Sequence, residues 1–160
     1  MPVFNIIFIP IKTMDLSKIL SISGKNGLFK MISQGKNNFI VESLEDQKRF
    51  PAFQSEGVST LENIAIYTHD DSVELKKLFQ NIYVKQEQQP LEYKAMTDTQ
   101  LRDYFSEILP DYDDERVFLS NIKKVYQWYN ILLKNDLISL DETETSDELQ
   151  VTSDESNGER

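Results

Sequence analysis

Two hydrophobic periods divide the chain. From Leu28 to Thr68 apolar residues fall in short or alternating runs, LFKMISQ, FIVESL, RFPAF and IAIYT. Between them stand Gly35-Lys36-Asn37-Asn38, Glu45-Asp46-Gln47-Lys48 and a Ser/Glu/Gly segment. Alternating runs at spacings of about ten residues predict a small β-barrel or meander. Gly24-Lys25-Asn26-Gly27, just before, is rich in residues that tolerate positive φ and predicts a hairpin turn. Further upstream, MDLSKIL from Met14 predicts a short helix capped by Asp15.

After His69-Asp70-Asp71-Ser72 the period becomes helical. Leu75, Leu78, Phe79 and Ile82 form one stripe, with Ser72 or Asp71 as its cap, and predict a helix over an open side of the barrel. VKQEQQPLEYK then loses its period and carries Pro90, which predicts a linker. Thr97 caps a helix with Leu101, Tyr104, Phe105, Ile108 and Leu109 on one face, and Pro110 ends it. Beyond the acidic turn Asp111–Glu115, Ser120 caps a longer helix containing Ile122, Val125, Tyr126, Tyr129, Leu132 and Leu133. Two helices of this size make a thin core and pack on the barrel or on a second copy, so a homo-oligomer through the helical hairpin is one expectation.

The predicted fold class is α+β, and five segments follow from it. Residues 1–13 read as a dispensable apolar extension or an upstream mis-start, and 14–84 as a small SH3-, Tudor- or KOW-like β-barrel with a covering helix. Residues 85–96 read as a linker, 97–138 as a helical hairpin, and 139–160 as a disordered acidic tail.

Charge sharpens this division. The chain has 160 residues, 17 Lys+Arg against 27 Asp+Glu and a formal net charge of −10. Residues 1–95 are neutral, whereas SLDETETSDELQVTSDESNGER at the end carries eight acidic groups and one basic one. That segment has no aromatic residue to offset its ordering entropy. The overall acidity therefore says nothing against nucleic-acid binding by the folded part. There is no cysteine, which excludes disulfides, thiolate metal sites and a Cys nucleophile, and one His is too few for a His-rich metal centre. The apolar start MPVFNIIFIPIKT lacks a basic n-region, is broken by Pro10, and is shorter than the roughly 20 residues of a membrane span. The expectation is a cytoplasmic protein with no membrane partner.

Three segments carry a resemblance. LSKILSISGKNGLFKMISQGKNNFIVESLEDQKRFPAF, IAIYTHDDSVELKKLF and ILPDYDDERVFLSNIKKVYQWYNILLKNDLI resemble a family of small Bacteroidetes proteins made of two domains of unknown function. The likeness runs from about Met14 to Ile138 and is most specific in ISGKNGLFK, KRFPAF and WYNILL. It implies an N-terminal small β domain followed by a small helical one, and supplies no catalytic residue.

Candidate chemistry is sparse. Asp111, Asp113 and Glu115 resemble the start of a calcium loop, but its sixth and twelfth positions hold Arg116 and Ile122. His69 beside Asp70 and Asp71 has no nucleophile near it in sequence and reads as a solvated turn. Gly24-Lys25-Asn26-Gly27 lacks the spacing of a phosphate loop. No enzyme, cofactor or metal site is therefore expected.

Two surfaces remain. Lys25, Lys30, Lys36, Lys48 and Arg49 are interleaved with Phe29, Phe39, Phe50 and Phe53, a basic and aromatic pattern seen where small barrels bind RNA or DNA. The plainer reading puts the phenylalanines in the core and the lysines on turns. Neighbouring helix positions about 100° apart cannot all face inward, and Tyr126 and Tyr129 share the core stripe. That leaves Trp128 towards its flank as the candidate contact for a protein partner, with Tyr126 beside it as a second candidate. Packing of Trp128 against the barrel is the other reading. The leading expectation is a soluble, non-catalytic protein-interaction or adaptor module; nucleic-acid binding through the basic face is the alternative.

Overall fold

A computed structural model describes residues 14–140; the expectations for residues 1–13 and for the acidic tail beyond residue 140 lie outside the described residues. Strands β1 (Ile19–Ile22), β2 (Phe29–Gln34), β3 (Asn38–Ser43) and β4 (Arg49–Phe53) form an antiparallel meander. β5 (Val58–Thr60) then returns to pair with β1, giving the order β4-β3-β2-β1-β5. The α+β class holds, with this sheet preceding three helices.

The sheet does not close into a hydrogen-bonded barrel. β4 and β5 are its two edges, with no ladder between them among the described residues. It is nevertheless strongly curled. Four strand spacings of about 4.8 Å would put those edges roughly 19 Å apart in a flat sheet. The link between them is a 3-10 turn, Gln54–Glu56, plus Gly57, and at about 2 Å per residue it spans only roughly 10 Å. Gly57 leaves this turn at φ 76°, a conformation that favours glycine. Inside the curl Leu20, Ile22, Phe29, Val41 and Ala52 form a core, flanked by Met31, Phe39, Phe50 and Val58.

Several local expectations are corrected. MDLSKIL is not a helix. The Asp15 carboxylate does accept a backbone N–H, but from Ser17 at 2.9 Å, closing a turn that feeds β1. Ile19, Leu20 and Ile22 are all buried, and a strand covered on both faces loses the alternation that would announce it. IAIYT is not a strand of the main sheet. Its β6 (Ala65–Tyr67) pairs only with β7 (Ser72–Glu74), so Ser72 lies in a strand and Glu74 occupies the N-cap of helix α1 (Leu75–Lys85). Rather than lying over the sheet by itself, α1 packs against α2 (Asp98–Ile108), α3 (Leu119–Lys134), β7 and the 3-10 turn Leu61–Asn63, which also touches β1.

α2 begins as expected. Thr97 Oγ1 accepts from Gln100 N at 3.2 Å, and Gln100 Oε1 accepts from Thr97 N at 2.9 Å. Ser120 lies inside α3. Its N-cap is Phe118, whose N–H donates to Asn121 Oδ1 at 2.9 Å. The irregular segment between α1 and α2 is fastened to α3. Asn130 both accepts from Leu91 N and donates to Leu91 O, each at 2.9 Å, and Tyr129 OH donates to Gln89 O at 2.8 Å.

Tyr126, fully buried, donates to Leu101 O at 2.6 Å and meets Tyr104 edge-on. Burial raises the pKa of Tyr104, Tyr126 and Tyr129, the last to about 12. An unfolded tyrosine ionises near 10, so the folded chain holds these protons to higher pH. The stability this contributes is whole below about pH 10 and is lost as the pH rises through the folded values. Tyr126→Phe is expected to lower stability at neutral pH by about 1–2 kcal/mol, the worth of a buried hydrogen bond. It should also make the alkaline decline shallower, because one of the three groups no longer titrates. Urea unfolding of both proteins at pH 8 and above pH 10 checks both effects.

Candidate ligand cleft

The residues singled out in the sequence separate into different places. Tyr126 is removed as a contact: it is wholly buried, and no partner reaches it in the folded protein. Lys30 and Arg49 flank Glu42 on adjacent strands, and Arg49 Nε bonds Glu42 Oε2 at 2.8 Å. Lys36 is on the β2–β3 turn and Lys48 on the β3–β4 turn, at opposite ends of β3. Phe29, Phe39 and Phe50 pack into or against the sheet core, leaving Phe53 exposed on the other face. Lys25 lies on the β1–β2 turn, its Nζ 4.2 Å from the centre of the Phe50 ring.

Lys25 and Trp128 meet at one cleft of about 370 Å³. Its floor is made of small residues. In the β1–β5 ladder Ser21 pairs with Ser59, on the face opposite Leu20 and Ile22. Ile19, two residues before Ser21 on that face, is buried. The change from Ile to Ser is therefore where filled space gives way to open space. Ser23 and Gly57 extend the floor, and the Ser23 N–H and hydroxyl both donate to Gly57 O, at 3.1 and 3.3 Å. A Cβ added to Gly57 would stand 2.6 Å from Ser23 Oγ.

One wall is the turn Gly24–Gly27, with Gly24 and Gly27 at φ 78° and 89°. The other wall is Lys124, Gln127 and half-buried Trp128 of α3. Gln127 Nε2 donates to Asn26 Oδ1 at 3.0 Å, clasping the two walls together. Farther along α3, Asn135 Nδ2 donates to Leu44 O at 3.2 Å and fixes the helix to the β3–β4 side of the sheet. Sequence reasoning missed Ser21, Ser59, Lys124 and Gln127. Of these, only the Ile-to-Ser step along β1 was a readable signal.

The acidic turn is structural. Asp113 accepts from Glu115 N at 3.0 Å and Arg116 Nε at 2.7 Å, and the Arg116 bond holds its carboxyl below the usual range. His69 is exposed, and its backbone N–H donates to Asp111 O at 3.1 Å. Among the described residues no helix is long and apolar enough to cross a membrane.

A curled antiparallel sheet tied to a three-helix unit defines a two-part α+β protein. Residues 16–61 match the family described as Domain of unknown function (DUF5606), and residues 64–132 match Domain of unknown function (DUF6852). A solution NMR structure of a protein from Bacteroides vulgatus is 41% identical, with a TM-score of 0.65, covering 80% of this chain and 92% of that one. No curated protein matches the chain. The chain belongs to the family of this Bacteroides protein and carries the two domains in that order, as the sequence resemblance implied.

Trp128 is half-buried where helix meets sheet. Trp128→Ala is expected to lower stability by about 1–2 kcal/mol, below the 3–5 kcal/mol of a fully buried aromatic. Thermal unfolding of the variant measures it.

Proposed function

We propose that the protein is a non-catalytic interaction or adaptor module that engages a protein partner in this cleft, with Trp128 as the anchor. The observation that carries the reading is a half-buried Trp128 on the wall of an open, mostly polar cleft. Such a side chain offers large contact area at low entropic cost, and the surrounding hydroxyl and amide groups supply orientation. The proposal includes an SH3-like, partly open barrel. Its support is the four-strand meander, the 3-10 turn and a fifth strand returning beside the first. A cytoplasmic location belongs to the same proposal.

RNA or DNA binding draws less support. Of its five candidate cations, Arg49 is paired with Glu42, Lys30 stands across the ladder from Glu42, Lys36 and Lys48 sit at opposite ends of β3, and Lys25 lines the cleft. A single groove that tracks a phosphate backbone needs them together.

The test is capture from native cell lysate with and without nuclease, using the wild type and Trp128→Ala in parallel. The expected result is a nuclease-resistant set of proteins, held by the wild type and weakened about thirtyfold in the variant, as for a hot-spot residue. A nuclease-sensitive set, or one indifferent to Trp128, would overturn the reading.

A further inference from the structure

We infer that the occupant of the cleft is an acidic peptide segment. Its carboxylates lie at the mouth between Lys25 and Lys124, its main chain crosses the serine floor, and an apolar side chain rests on Trp128. This builds on the binding reading above and adds the chemistry of the partner.

Charge is the first argument. Lys25 and Lys124 line the cleft, and no acidic side chain does. Glu45 stands at the Gly27 end of the turn, its carboxylate 3.3 Å from where a Cβ on Gly27 would be, but does not itself line the cleft. On other parts of the surface Arg49 pairs with Glu42, Lys85 with Glu107 and Arg116 with Asp113. Lys123 reaches Asp98 at 3.8 Å, while its neighbour Lys124 has no carboxylate partner among the described residues, and neither has Lys25. Lys124 and Lys25, whose Nζ also stands over the Phe50 ring, give the concavity a positive lining, which attracts an anion and raises its on-rate.

The second argument selects peptide over phosphate. A phosphate offers only acceptors, so a site built for it presents donors. This floor presents the hydroxyls of Ser21 and Ser59, which both donate and accept. The clasp between Gln127 and Asn26 uses one donor and one acceptor, leaving Gln127 Oε1 to accept and Asn26 Nδ2 to donate. Mixed polarity of this kind fits peptide N–H and C=O groups together. Space is the third argument. The floor residues Ser21, Ser23, Gly57 and Ser59 keep the gap under α3 open, and a main chain needs that clearance.

Trp128 is the chain's one tryptophan, so its emission reports on the cleft directly. The probes are a short Glu/Ser peptide with one central Leu, a Lys/Ser peptide of equal length, a short oligothymidylate and inorganic phosphate. The acidic peptide is expected to change Trp128 emission saturably and to bind more weakly as salt is raised. Its affinity should fall about tenfold in the double variant Lys25→Gln/Lys124→Gln, the sum of two exposed charge contacts. Ser59→Leu, which fills the floor, should also abolish the response. Circular dichroism reports whether each variant is folded, and the two exposed lysines give a folded comparison even if Ser59→Leu does not fold.

No saturable response, a response that the double lysine variant leaves unchanged, or equal or tighter binding of oligothymidylate, phosphate or the basic peptide would each overturn the inference. Lysate partners that depend on Trp128 but not on the two lysines would overturn it and leave the interaction module standing. Partners indifferent to Trp128 would overturn both.

Discussion

β1 is four residues long, and its two faces serve different neighbours. Leu20 and Ile22 enter the core inside the curled sheet, while Ile19 is buried on the opposite face. It pairs on one side with β2, which follows it directly, and on the other with β5, which returns from residue 58. Through the turn Leu61–Asn63, which touches both β1 and α1, the sheet is coupled to the helices. The cleft is a consequence of this arrangement. It opens where the outer face of β1 changes from Ile19 to Ser21 and the helical cover no longer has an apolar side chain to meet.

The helical half was largely legible. Thr97 as the cap, Pro110 after the last turn and the stripe through Leu101, Phe105 and Ile108 each fixed a feature of α2. Local hydrogen bonds and a one-sided apolar face are encoded within a few residues. The sheet was less legible for the converse reason. β1 is buried on both faces, and β5 has three residues, too few to show a period. The return of β5 to β1 is a pairing between residues some forty positions apart, and nothing in the local pattern specifies it.

The candidate site shows the same limit. Trp128 and Lys25 could be picked out singly, but the contact between α3 and the β1–β2 turn joins residues about a hundred positions apart, as in the Gln127–Asn26 clasp. Of the two places the sequence offers Tyr126, the core stripe and a contact beside Trp128, burial selects the first. Residues two apart on a helix diverge by about 200°, so Tyr126 donates to Leu101 O in the core while Trp128 faces the sheet side. One helix therefore serves three tasks by angle: Tyr126 holds α2, Tyr129 and Asn130 hold the segment before it, and Lys124, Gln127 and Trp128 form the wall of the cleft.

The position of β1 also bears on how the chain is made. Synthesis proceeds from the N-terminus, so β1 is translated well before β5 or the helices that complete its surroundings. β2 supplies one flank early, but the other stays open until residues 58–60 have left the ribosome. During that interval Ile19, Leu20 and Ile22 form an apolar strand with an unpaired edge, the kind of segment that recruits other chains. That edge stays open to edge-to-edge pairing until β5 arrives.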